Sequence, residues 1–175
     1  MTVFVDTGVF YALLDKGDTN HLDAVSVMAH ALEGKFGRVY TSDYVVLETT
    51  LLLRARLGSD SVKAFARFLK KSGITTIVVD EPTYRKALGL LVRMPGRLSL
   101  CDATTVVLME DLGIGALVSF DLKSFSGLVP NIVGKGYFAS LSEGERKRIR
   151  KLFVRQQQEK PVDRSLNKST PSQPV

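Results

Sequence analysis

Short apolar runs recur along this chain, and each is followed by a stretch with helical spacing. TVFV (2–5), GRVYT (37–41), TTIVV (75–79) and GALVSF (115–120) read as strands, with NIV (131–133) as a short fifth. Between them apolar residues fall at helical intervals, as Leu22, Val25, Met28, Ala29 and Leu32 do after His21. Strands that alternate with helices pair most readily in parallel, because each helix carries the chain back to the same edge. A parallel sheet needs both of its faces covered. The pattern therefore predicts an α/β fold of three layers, α/β/α, around a central parallel sheet of four to five strands.

Helix boundaries are marked as well. An apolar helix is expected around 8–15. Ser42 or Asp43 opens a helix that Gly58 stops, and residues 60–72 form another that ends at Gly73. Pro82 belongs in the first turn of the next helix. A further helix runs from about Leu100 to Leu112, before Gly113. His21 is expected at a helix start and His30 on a solvated face. Sheets of this kind bind ligands beyond the carboxyl ends of their strands, which directs attention to the residues found there.

Composition sets bounds on partners and compartment. With 175 residues, 45% of them hydrophobic, the chain can bury a core without disulfides or structural metal. Cys101 is the only cysteine, so no internal bridge forms, and a small buried apolar role is expected for it. TVFV is too short to cross a bilayer and no basic-then-apolar leader is seen, so a soluble, cytoplasmic protein with no membrane partner is expected. Residues 1–140 hold 15 Lys/Arg against 14 Asp/Glu, whereas residues 141–175 hold 9 against 4. The basic excess sits in the tail and suits a polyanion such as RNA. That tail is read as a capped basic helix over about 142–158, followed by a disordered end from about Lys160.

Four strands are closely followed by Asp: Asp6, Asp43, Asp80 and Asp121. Asp is a favoured helix cap, which accounts for Asp43 and Asp80. Asp6 and Asp121 stand evenly between cap and ligand. Glu48 lies within YVVLETTLLL, where its helical neighbours Tyr44, Leu51 and Leu52 place it on an apolar stripe. An unpaired interior charge costs on the order of several kcal/mol, and no Lys or Arg stands one turn away to compensate it. Asp102 fits a capping box opened by Ser99, and a first-turn residue also faces the space beyond the strand ends. Four carboxylates meeting in one place would repel, and some would take up protons unless a divalent cation compensates them. Oxygen-only donors select Mg²⁺ or Mn²⁺ over zinc.

FVDTGVFYALL, YVVLETTLLL and LSLCDATTVVLMEDLGIGALVSFDLKSF, in that order, resemble the PIN-domain ribonucleases, of which VapC-type toxins are the largest group. The likeness spans about residues 1–137, taken as a PIN-like nuclease domain, with 138–175 as a basic C-terminal extension. It implies a divalent-metal-dependent endoribonuclease hydrolysing phosphodiester bonds, and a toxin–antitoxin pair. Asp6, Glu48, Asp102 and Asp121 would be the metal ligands, with Mg²⁺ or Mn²⁺ as cofactor. Ser119, where Thr is commoner, would orient a carboxylate or a metal-bound water, with Thr7 in a similar role. RNA is the implied substrate, and an antitoxin protein and a homodimer are the implied assemblies. Substrate attraction would draw on Arg54, Arg56, Arg93, Arg97, Arg146, Lys147, Arg148, Arg150 and Lys151.

Other readings remain open at this point. The family includes nucleases of RNA processing and ribosomal RNA maturation. A non-catalytic RNA-binding protein would keep the basic tail but need no clustered carboxylates. A phosphotransferase of the haloacid dehalogenase type also places an Asp after its first strand, but it needs a second Asp where Gly8 stands.

Overall fold

The computed structural model describes residues 2–158, those from 152 onward by backbone alone. The expectation of disorder from about Lys160 lies outside the described residues. The chain opens with β1 (Thr2–Val5), α1 (Thr7–Leu14) and α2 (His21–Leu32), then β2 (Arg38–Ser42), α3 (Asp43–Leu57) and α4 (Ser59–Ser72). Next come β3 (Thr75–Ile77), α5 (Glu81–Arg93), α6 (Leu100–Asp111) and β4 (Ala116–Ser119). α7 (Leu122–Phe125), β5 (Ile132–Gly134), α8 (Tyr137–Ser140) and α9 (Glu143–Gln158) complete it.

The five strands form one parallel sheet in the order β3-β2-β1-β4-β5. Central β1 sets Phe4 opposite both Tyr40 and Leu117, and β4 sets Ser119 opposite Gly134. Successive strand residues point to opposite faces. Val3, Phe4 and Val5 are nonetheless all fully buried, so helices cover the sheet on both sides. Each such side chain contributes roughly 1.5–3 kcal/mol. Phe10, Phe65 and Phe125 extend the same core, and the Phe10 and Phe65 rings meet at 5.2 Å. A smaller cluster of Ala87, Leu98, Ala103 and Val107 joins α5 to α6.

Three local expectations are corrected. Ser42, not Asp43, caps α3: its Oγ accepts the Val45 N–H at 3.2 Å. The Asp43 carboxylate reaches across to accept the Val79 N–H at 3.1 Å. That bond lies just past the end of β3, which stops at Ile77 rather than continuing to Val79 and leaves Val78 exposed. His30 is not on a solvated face but buried, with Nδ1 2.7 Å from the Tyr137 hydroxyl. Its cover comes from α8 and α9, more than a hundred residues away, which no local period can reveal. α9 itself packs on α2: Arg148 donates to Glu33 just past the end of α2, and Ile149 is fully buried.

Candidate active site

Parallel pairing brings the ends of β1 and β4 side by side, and the residues just beyond them meet. Asp6 occupies the cap position of α1 in extended conformation, yet its side chain makes no capping bond. Its Oδ2 instead accepts the Ser119 hydroxyl at 2.8 Å, across 113 residues of chain. The cap reading therefore fails for Asp6, because the hydroxyl at the end of β4 claims the carboxylate that the helix start would otherwise use.

Glu48 is similarly held from a distance. The Thr7 hydroxyl, one residue past Asp6, donates to its Oε2 at 2.5 Å. The apolar stripe expected around Glu48 is corrected: the buried face of α3 is Val45, Thr49 and Leu53, while Leu51 is 60% exposed. Glu48 stands at the border of that face, half-buried and turned toward α1.

Asp102 and Asp121 answer to their own helices. The Ser99–Asp102 capping box is complete, with Ser99 N–H donating to Asp102 Oδ2 at 2.8 Å and Asp102 N–H donating to Ser99 Oγ at 3.0 Å. Asp121 caps α7, accepting the Ser124 N–H at 3.0 Å and the Ser124 hydroxyl at 2.6 Å. Each of the four acids is thus oriented by one hydroxyl-bearing residue: Asp6 by Ser119, Glu48 by Thr7, Asp102 by Ser99 and Asp121 by Ser124. Such partners lock rotamers and pre-set a site.

The electrostatics tie the group together. Burial pushes the Asp6 carboxyl up to about 6; the Ser119 and Thr7 donors resist this, while Asp102 and Glu48 add to it. Burial also raises Asp102, against its Ser99 bonds and with help from Glu48 and Asp121. Partial burial works against ionisation of Asp121, but the Ser124 donors outweigh it and hold the carboxyl below its ordinary range. Cys101 is pushed up by burial and by the negative charge of Glu48 and Asp6, so its thiol stays protonated and is no nucleophile. Among the described residues none of the four acids pairs with a Lys or Arg side chain.

Among the described residues, no three His, Cys, Asp or Glu side chains are gathered tightly enough to hold an ion. The four acids are neighbours through their fields rather than through contact, which corrects the picture of carboxylates crowded into one small volume. The donor chemistry still fits a hard divalent cation: four carboxylates, none of them in an ion pair with a Lys or Arg side chain among the described residues.

A PIN domain signature matches residues 3–127. A VapC ribonuclease of Archaeoglobus fulgidus is 37% identical over 153 residues, 85% of this chain and 93% of that protein. The chain belongs to the PIN-domain family. Ribonuclease VapC26 of Mycobacterium tuberculosis is 23% identical over 137 residues, 78% of this chain and 97% of its own length. The crystal structure of Mycobacterium tuberculosis VapC20, a Sarcin-Ricin loop cleaving toxin, aligns with a TM-score of 0.64 at 31% identity, over 73% of this chain and 97% of that one. Within the PIN family, then, the likeness runs to VapC ribonucleases over nearly their whole length.

Several residues around this PIN-domain site carry more than the sequence reading assigned them. Ser124 holds both oxygens of Asp121; its spacing in Asp-x-x-Ser is a cap signature and was legible. Gly134 faces the Ser119 carbonyl so closely that a Cβ there would stand 2.3 Å from it. A lone glycine ending a strand pattern is the signal that could have found it. Arg97, expected to attract substrate, spends its guanidinium on the Ser124 carbonyl at 3.0 Å and on the Ser126 carbonyl. Arg148 is likewise committed to Glu33 and Glu145. Among the described residues no helix is long and apolar enough to cross a membrane.

Proposed function

We propose that the chain is a divalent-metal-dependent endoribonuclease and the toxin of a toxin–antitoxin pair. The observation that carries this reading is that Glu48 adds to the cost of ionising both Asp6 and Asp102, and that among the described residues none of these three acids pairs with a Lys or Arg side chain, in a relative of VapC ribonucleases. Asp6, Glu48, Asp102 and Asp121 would hold Mg²⁺ or Mn²⁺. Such an ion, when bound, supplies a nucleophilic water at neutral pH and balances charge on the scissile phosphate.

The chain's own residues do the positioning. Ser119 fixes Asp6, Thr7 fixes Glu48, and Ser99 and Ser124 hold Asp102 and Asp121 at their helix starts. Asp6, with its carboxyl pushed up to about 6, is mostly ionised at neutral pH and would be available there to hold the cation. RNA is the proposed substrate, as the name ribonuclease states for the VapC relatives of Archaeoglobus fulgidus and Mycobacterium tuberculosis. An antitoxin would cover apolar surface on the early helices or insert a basic side chain among the acids, and a homodimer is the second assembly proposed.

Cleavage of RNA with Mg²⁺ or Mn²⁺ by Asp6→Asn and Asp102→Asn proteins tests the site. Loss of a ligand should exceed the roughly 10- to 100-fold typical of outer-shell changes. Undiminished cleavage by either variant removes the proposed site. Co-purification of a small partner protein encoded beside this chain tests the toxin assignment.

A further inference from the structure

The four cations at 146–150 of α9 divide into two sets. Arg148 faces α2 and is spent on Glu33 and Glu145, and Lys147 pairs with Glu143 at 2.9 Å. Arg146 and Arg150 have no acidic partner among the described residues. They lie four residues apart, on one helix face, where like charges repel. Among the described residues neither is in an ion pair, and Glu143, the acid that lines their cleft, is paired with Lys147.

Both line a cleft of about 280 Å³ between α8 and α9, together with Phe138, Ala139, Glu143 and Lys147. The Arg150 guanidinium sits 5.5 Å over the Phe138 ring. Cations flanking an aromatic ring are the combination that grips a single strand, with bases stacking on rings or guanidinium planes and phosphates on the charges. The cleft is also firmly placed. The Asp23 carboxylate accepts the N–H groups of Gly136 and Phe138, at 2.8 and 2.7 Å. That turn follows Gly134, the residue paired with Ser119, so the chain enters α8 from the carboxyl end of the sheet, where Asp6 and Ser119 also lie.

We propose that the α8–α9 cleft is a second RNA-binding site, which takes a single-stranded segment of the substrate outside the carboxylate centre. Arg146 and Arg150 contact phosphates, and Phe138 with the Arg150 plane stacks a base. This rests on the ribonuclease reading above for the identity of the polyanion, but not on cleavage. An acidic protein segment suits the charges but leaves the ring without a role.

The test uses the full chain in EDTA, where no cleavage occurs, and a fluorescent single-stranded RNA of about 12 nucleotides, within the size range one binding fold covers. Arg146→Glu/Arg150→Glu should weaken binding about tenfold or more. Arg146→Ala/Arg150→Ala should flatten the dependence of log K on log salt by about 1.4, at about 0.7 per phosphate contact on a single strand. Lys70→Glu/Lys71→Glu, at two exposed positions of α4, makes the same charge change elsewhere and should leave affinity within about twofold. RNA binding unchanged by the α9 variants, or weakened equally by the α4 variant, overturns the proposal. So does a loss confined to binding of an acidic peptide. If the wild-type protein binds RNA through this cleft yet cuts none with Mn²⁺, the cleft stands and the nuclease reading falls.

Discussion

Ser119 Oγ donates its hydroxyl to Asp6 Oδ2 at 2.8 Å and itself accepts the Asp121 N–H at 3.0 Å. One atom at the end of β4 thus sets an acid on the neighbouring strand and starts the turn that carries another. Because its bond favours the ionised form of Asp6, Ser119→Ala should raise the Asp6 pKa above about 6. The acidic limb of the pH–rate profile should move to higher pH, measured by RNA cleavage with Mn²⁺ across pH 5–9. Ser119→Thr, which keeps the hydroxyl, should leave that limb near its original place.

The raised Asp6 carboxyl also makes a statement about stability. The folded protein binds this proton more tightly than the unfolded chain, so the metal-free protein loses stability as pH rises from about 4 through about 6. At about 1.4 kcal/mol per pK unit, the loss is about 3 kcal/mol above that window. Asp6→Asn should therefore be more resistant to urea than wild type at pH 8 in EDTA, and the advantage should vanish near pH 4. Added Mn²⁺ should stabilise wild type more than the variant.

Thr7 holds Glu48 alone among the hydroxyls described. Thr7→Val keeps the shape and removes the donor, so kcat should drop about 10- to 100-fold, as for other outer-shell partners. Thr7→Ser should recover most of it. Urea unfolding of both variants separates this from a loss of fold.

Gly134 sets the spacing between β5 and β4. A methyl group added there would stand 2.3 Å from the Ser119 carbonyl oxygen and 3.1 Å from its carbon, with backbone that has no side chain to swing away. Gly134→Ala should cost about 1–3 kcal/mol, the range for overpacking. It should also reduce RNA cleavage, because the strand end that shifts carries Ser119. Denaturant unfolding and kcat measured together check both.

Arg97 is a strap rather than a phosphate contact. Arg97→Gln removes its hold on the Ser124 and Ser126 carbonyls, which should cost about 1–2 kcal/mol in thermal unfolding. The salt dependence of RNA binding should not change, in contrast to Arg146→Ala/Arg150→Ala.

Much of the architecture was open to inspection in one dimension. Strand and helix periods depend on residues two to four apart, so β1, α2 and the capping box at Ser99 read directly from the chain. Asp102 as the partner of the Ser99 cap was a local fact too, whereas Asp121, left evenly between cap and ligand by the sequence, is a cap in the fold. The expected apolar stripe around Glu48 failed because the helical period says which residues share a face but not how far that face turns toward the core. His30 failed for a related reason: α8 and α9 cover it from more than a hundred residues away.

The order of residue types, by itself, determined an α/β chain with a parallel sheet and with acids placed at strand ends and helix starts, since these follow from short-range sterics and hydrogen bonding. Only the folded sheet decided that Asp6 would be claimed by Ser119 and Glu48 by Thr7, and that Arg97 and Arg148 would be spent while Arg146 and Arg150 were not. Those choices depend on which groups come within about 3 Å once β1 and β4 pair and α9 lies on α2. Distances of that kind exist only in three dimensions.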